Sequence, residues 1–132
     1  MNFLLMAHSG LRWLILLAAA VAVVKFALGW LQGGDFKGMD RGLASAFSGL
    51  LDLQVTLGLV FLLWDGFSGT GFPLFRIEHG FVMILAAVAG HLPARWKNTE
   101  SKRRFRNTLF AILASILLVI VGLTMLPGGL SR

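Results

Sequence analysis

Hydrophobic residues form four long stretches along this chain of 132 residues, separated by three short polar segments. The stretches cover about residues 3–31, 43–64, 73–92 and 108–126, and each is close to the roughly 20 residues that an α-helix needs to cross a bilayer. Short connections make consecutive helices antiparallel neighbours. The pattern predicts an all-α, polytopic membrane protein, an up-down-up-down four-transmembrane-helix bundle with a single domain over residues 1–132.

Composition agrees with a membrane protein and excludes several other classes. Hydrophobic residues make up 57% of the chain, and the mean hydropathy is +0.80, both high for a soluble domain. The chain contains no Cys, which excludes disulfides, thiolate metal sites and thiol nucleophiles. The formal net charge is +6, but nucleic acid is not expected as a partner, because phosphate recognition needs a basic face on a soluble fold.

The distribution of Lys and Arg predicts the orientation of the bundle. Basic residues concentrate in the first and third connections, at Lys37, Arg41, Arg95, Lys97, Lys102, Arg103, Arg104 and Arg106. An even number of spans separates these connections, so both lie on one side, which the positive-inside rule makes cytoplasmic. We therefore expect both termini outside the cytoplasm and the basic loops on lipid headgroups.

Ionisable residues within the spans are candidates for function, because charged groups are costly in lipid. His8 lies about 7 Å inside the outer end of the first span, and His79 lies about 9 Å inside the outer end of the third. The first and third helices are diagonal in such a bundle, with axes roughly 11–14 Å apart. That gap suits a b-type haem whose iron takes one imidazole from each side.

Three charged residues extend this hypothesis. Arg12 shares a helix face with His8, because four residues separate them, and it can meet a haem propionate or Glu78. Arg76 lies about one turn from His79 and can pair with the same carboxylates, those of the haem or of Glu78. Glu78 can accept a proton from a ligating imidazole and so set its tautomer, and because Glu78 is adjacent to His79 in the sequence, His8 is the preferred partner. A structural ion pair between Arg12 and Glu78 is an open alternative.

A second group of ionisable residues, Lys25, Asp52 and His91, lies in the cytoplasmic half. Lys25 and Asp52 have similar depths on antiparallel helices, which predicts an ion pair between them. His91 lies about 18 Å along the axis from His79 and about 120° around it, so one cofactor cannot use both. With only three histidines in the chain, His91 is interpreted as an interface residue, a five-coordinate ligand or part of a proton path.

Three short motifs carry a resemblance to a known family. They are His8-Ser-Gly-Leu-Arg-Trp13, Asp52-Leu-Gln54 and Glu78-His79. Together they resemble the small four-helix bacterial membrane proteins named cytochrome B, and the resemblance implies a protein of the bacterial inner (cytoplasmic) membrane that transfers electrons with haem b. In that family a histidine often precedes the Leu-Gln of the second span, where this chain has Asp52. The departure removes one haem ligand and leaves His8 and His79.

We expect a membrane-bound b-type cytochrome that passes electrons between a quinone and a redox partner. One haem near one surface cannot carry an electron across the whole membrane, so a quinone, a larger redox complex or a homo-oligomer is implied. Three alternatives stay open. In the first, the chain is a cofactor-free accessory subunit of a respiratory or photosynthetic complex. In the second it is a (bacterio)chlorophyll-binding protein, and in the third it is a proton-conducting protein built on Glu78, Asp52 and His91.

Overall fold

The computed structural model of the chain describes residues 2–128, with side chains from residue 3 onward. Within this part of the chain there are four long helices, α1 (Asn2–Gln32), α2 (Gly38–Asp65), α3 (Leu74–His91) and α4 (Ser101–Thr124). A π-helical turn, Gly66–Thr70, follows α2, and a 3-10 turn, Leu92–Trp96, follows α3. All four helices are long and apolar enough to cross a membrane. The predicted all-α, multi-pass membrane fold is confirmed.

The helices pack in the cyclic order of their sequence. α1 packs on α2 and α4, and α3 packs on the same two helices. α1 and α3 therefore lie on one diagonal of the bundle, as short connections between consecutive helices predict. This arrangement places the helix that carries His8 opposite the helix that carries His79.

Local backbone chemistry sets the boundary between α1 and α2. α1 ends at Gln32, and the next residue, Gly33, has a φ of +75° and donates its N–H to the Gly29 carbonyl at 3.0 Å. Glycine takes up this left-handed conformation without steric strain. After the polar connection, the Asp40 carboxylate accepts a hydrogen bond from the Lys37 N–H at 2.9 Å. That bond satisfies a donor at the start of α2.

Two helices begin earlier than the predicted spans. α2 starts at Gly38 and α4 at Ser101, whereas the apolar stretches begin at about residues 43 and 108. Hydropathy marks the part of a helix that lies in lipid, and a helix can continue beyond the bilayer because its backbone hydrogen bonds are internal. The extra turns carry charged residues that the hydropathy pattern excluded.

One end of the bundle, which we call the basic end, contains the first and third connections. A cluster of three aromatic rings fills it: Phe36 has its ring centroid 5.8 Å from that of Phe26 and 4.9 Å from that of Phe105, and the last two are 6.2 Å apart. The Phe36 N–H donates to the Ser101 hydroxyl at 2.9 Å. The first and third connections therefore lie at the same end of the bundle, as predicted.

The ion pair at the basic end corrects one sequence prediction. Lys25 Nζ lies 2.8 Å from Asp40 Oδ1, and the Asp40 side chain is only 1% exposed. The prediction that Lys25 pairs with Asp52 is wrong. Because α2 begins earlier than its apolar stretch, the carboxylate level with Lys25 is Asp40, and Asp52 lies about 18 Å further along the helix.

Candidate functional site

The opposite end of the bundle, which we call the cavity end, contains a cavity between the four helices. Its volume is about 120 Å³, several times the roughly 10–15 Å³ that one water molecule needs. Most of its lining is apolar. The polar and charged side chains in the lining are His8, Ser9, Arg12, Gln54, Arg76 and His79. Four of the residues singled out in the sequence therefore meet at one cavity.

His79 enters the cavity from α3 with one ring nitrogen already bonded. Its Nδ1 lies 2.8 Å from the carbonyl oxygen of Gly122 on α4. A carbonyl oxygen only accepts hydrogen bonds, so Nδ1 carries a proton, and in the neutral ring Nε2 carries the lone pair. A hydrogen bond from the second ring nitrogen to a backbone carbonyl is the usual support of a metal-binding histidine.

His8 enters the cavity from α1 in a different environment. Its Nδ1 is buried and has no hydrogen-bond partner in the part of the chain that the structure describes. Gln54 Nε2 donates to the His8 backbone carbonyl at 2.7 Å, while the amide oxygen of Gln54 is also buried without a partner among residues 2–128. The Gln54 side chain nevertheless interacts with the His8 ring, so the two buried atoms belong to neighbouring groups at the cavity and do not by themselves require an added ligand.

Gly58 on α2 lies against the His8 ring. A Cβ atom at Gly58 would lie 3.0 Å from Cε1 of His8, so a side chain there would displace the imidazole. Gly58 follows Gln54 by four residues, and both therefore face α1 from the same side of α2. The sequence pattern marks Gly58 only as a small residue that permits helix packing. In the structure, both Gly58 and Gln54 lie beside His8.

The two arginines of the cavity have aromatic neighbours. The Arg12 guanidinium lies 4.9 Å from the centre of the Trp13 ring. Arg76 lies 5.3 Å from the centre of the Phe61 ring, and its Nη1 donates to Asp65 Oδ2 at 2.7 Å. Sequence reasoning missed Asp65, although its place at the end of α2, across the connection from Arg76 at the start of α3, is a signal for this ion pair.

Glu78 does not join the two imidazoles. Its side chain is exposed and is not part of the cavity lining. Adjacent residues on a helix point about 100° apart, so a His79 side chain directed into the bundle turns Glu78 away from it. The partner observed on the His79 ring is the Gly122 carbonyl, and the predicted partnership of Glu78 with His8 is not seen, because Glu78 is not part of the cavity lining that contains His8.

Asp52 and His91 lie away from the cavity, on the surface between α2 and α3. His91 Nε2 is 2.8 Å from both carboxylate oxygens of Asp52, and the two side chains are 54% and 50% exposed. Lys25 is bonded to Asp40 instead. The predicted second group therefore does not form one site in this structure.

The fold and the cavity define a class: a multi-pass α-helical membrane protein with a cavity between its helices that is lined by histidine and arginine. None of the family models, curated proteins or solved structures compared with the chain matches it. The described residues contain no group of three or more His, Cys, Asp or Glu side chains arranged to hold a metal ion. Protein sites for a bare transition-metal ion usually supply at least three ligands.

Proposed function

We propose that this chain is a membrane-bound b-type cytochrome that passes single electrons between a quinone and a redox partner. His8 and His79 would hold the haem iron, one from each of two diagonal helices. The observation that carries the proposal is that imidazoles from two diagonal helices line one cavity. A bound haem supplies the one-electron couple at its iron.

The donor set at the cavity fits a haem better than a bare metal ion. A porphyrin itself supplies most of the ligands of its iron, so the protein would need to supply only two, and two histidines line the cavity,. Because His79 Nδ1 is bonded to the Gly122 carbonyl, Nε2 is the nitrogen of that ring that would hold the iron. Because Gly58 has no side chain, the His8 ring can lie close to α2.

The other residues of the cavity have supporting roles in this proposal. Arg12 and Arg76 place positive charge at the cavity, where guanidinium groups can pair with the two carboxylates that a haem carries. Asp65 holds Arg76 in position. Gln54 holds the backbone of His8 through its amide group. The apolar remainder of the lining excludes water from the redox centre.

The position of the cavity favours electron exchange at one end of the bundle. The basic end is filled by the rings of Phe26, Phe36 and Phe105. The third histidine, His91, lies on the surface. Electrons therefore enter and leave near the cavity end, to a quinone in the bilayer or to a partner at its surface.

The test is a titration of the purified protein with hemin in detergent, followed by visible spectra of the oxidised and reduced forms. The wild-type chain is expected to give the bands of a six-coordinate, bis-imidazole haem. His8→Ala and His79→Ala are each expected to lose the six-coordinate spectrum and to weaken hemin binding by at least about tenfold. His91→Ala is the matched control, because it removes a histidine outside the cavity and should keep the wild-type spectrum.

Circular dichroism shows whether each variant retains its helices. A folded wild-type protein that stays colourless after hemin addition contradicts the proposal. The same is true if His8→Ala and His79→Ala both keep the six-coordinate bands. A long-wavelength pigment band in protein isolated from its native membrane would instead favour a chlorophyll-type ligand.

A further inference from the structure

The ion pair between Asp52 and His91 lies at the depth of the hydrocarbon core, where contact with lipid is costly for ionisable side chains. Along α2, Asp52 is about 18 Å from Asp40 and about 20 Å from Asp65, which places it within a hydrocarbon core of roughly 30 Å. Ionisable groups at such depths normally face the bundle interior or a partner. Here both side chains are about half exposed, at 50% and 54%.

The surface of α2 around Asp52 consists of small and polar residues. The exposed residues follow one another at spacings of three and four, at Gly42, Ser45, Gly49, Asp52 and Thr56. This spacing forms a continuous seam along one side of a helix. A Cβ atom at Gly42 or Gly49 would have no neighbour within 4 Å, so neither glycine serves a close contact within the chain.

α3 provides the second side of this surface. Ile84, Val88 and His91 are exposed along it, and they line a shallow groove together with Asp52 and Thr56 of α2. In membranes, small residues on a helix surface allow another helix to approach closely. We call the surface formed by Gly42, Ser45, Gly49, Asp52, Thr56, Ile84, Val88 and His91 the α2–α3 face.

We propose that the α2–α3 face is the interface with a second copy of this chain, related by a two-fold axis perpendicular to the membrane. Charge complementarity is the reason for choosing a second copy of the chain as the partner at this face. Each copy presents a carboxylate and an imidazole side by side, and a two-fold contact brings the same patch against itself, so that Asp52 of each copy approaches His91 of the other. Both ionisable groups are then removed from lipid without another kind of protein.

This interface is independent of the proposed haem site. His8 and His79 face the cavity inside the bundle, whereas the α2–α3 face lies on its outer surface. The dimer can therefore form in a protein that binds no haem. Conversely, a monomeric protein can still bind haem, so the two proposals are tested separately.

The absence of Cys from the chain makes disulfide crosslinking a direct test. Gly49→Cys and Thr56→Cys lie on the α2–α3 face, and Ala114→Cys, exposed in the middle part of α4, is the matched control. Each purified variant is reconstituted at low density in phosphatidylcholine vesicles and oxidised with copper phenanthroline. A disulfide requires Cα atoms within about 7 Å. At least one α2–α3 variant is expected to give about tenfold more crosslinked dimer than Ala114→Cys.

Energy transfer between donor- and acceptor-labelled copies in the same vesicles provides a second measurement. Gly49→Leu should lower the transfer several-fold, because the added side chain fills the space that the second copy occupies and contacts nothing in its own chain. Ala114→Leu should leave it unchanged. Asp52→Asn should also lower it, because it removes the charge that meets the second copy's imidazole.

The vesicles contain only this chain and a zwitterionic lipid, so a specific crosslink identifies a second copy as the occupant. Crosslinking of both α2–α3 variants at the Ala114→Cys level, with energy transfer that Gly49→Leu does not change, would overturn the proposal. An α2–α3 face that binds a different protein or a particular lipid would give that same result and would count against the dimer. Circular dichroism of each variant checks that the helices are intact.

Discussion

At Gly58 the lack of a side chain determines where an imidazole can lie. A methyl group added there would stand 3.0 Å from Cε1 of His8, closer than ordinary van der Waals contact between carbon atoms, which is about 3.5–4.0 Å. The His8 ring or α2 itself would have to shift by a few tenths of an ångström. The position of a proposed iron ligand thus depends on a residue that has no polar group of its own.

Gly58→Ala is expected to weaken hemin binding by about tenfold, an effect comparable to the loss of a supporting contact in a metal site. The helix itself should gain up to about 1 kcal/mol in propensity, so weaker binding would not come from loss of fold. Hemin titration and thermal unfolding measure the two effects. Gly10→Ala is the control, since a Cβ atom there has no neighbour within 4 Å; equal hemin affinities for the two variants would refute the role given to Gly58.

At the scale of helices, the Lys25–Asp40 pair joins α1 to the first turn of α2. The Asp40 carboxylate is 1% exposed and accepts bonds from Lys25 Nζ and from the Lys37 N–H. A buried carboxylate is tolerated only when it is paired and hydrogen-bonded. The pair therefore holds the two helices in register at the basic end, next to the ring of Phe105.

Lys25→Met is expected to destabilise the fold by about 3 kcal/mol, because it leaves the Asp40 carboxylate buried without its cation. The free energy of unfolding, measured in mixed detergent micelles, gives the difference. Lys102→Met, at an exposed position near the start of α4, is the matched control and should change stability little. Similar values for the two variants would mean that the ion pair contributes little.

For the whole molecule, the two ends of the bundle differ in chemistry. The basic end is closed by aromatic packing and by the bond between the Phe36 N–H and the Ser101 hydroxyl, whereas the cavity end contains buried polar groups in an open space. The first and third connections are thus on one side of the membrane and the second is on the other. The excess of basic residues makes the first side cytoplasmic in our proposal.

Labelling of single cysteines with a membrane-impermeant maleimide tests this orientation in spheroplasts. Ser68→Cys, in the second connection, is expected to react in intact cells, because the cavity end faces outward. Asp35→Cys and Asn98→Cys, in the first and third connections, should react only after permeabilisation. The reverse labelling pattern would invert the orientation and would leave the arrangement of the four helices unchanged.

The sequence alone determined the four spans, their helical structure and the common level of His8 and His79. These properties depend on quantities that are local in the chain: the length of an apolar stretch and a rise of about 1.5 Å per residue. They required no knowledge of how the helices rotate about their axes. The diagonal placement of α1 and α3 also followed, because the short connections make sequential helices neighbours.

Only the tertiary structure decided which polar groups meet. Lys25 bonds Asp40 and not Asp52, Arg76 bonds Asp65, and the partner of the His79 ring is a backbone carbonyl of α4. Depth along a helix can be counted from the sequence, but the direction of a side chain across the bundle depends on helix rotation and close packing. The sequence cannot show which backbone carbonyl accepts a hydrogen bond from a side chain, because every residue carries a carbonyl group.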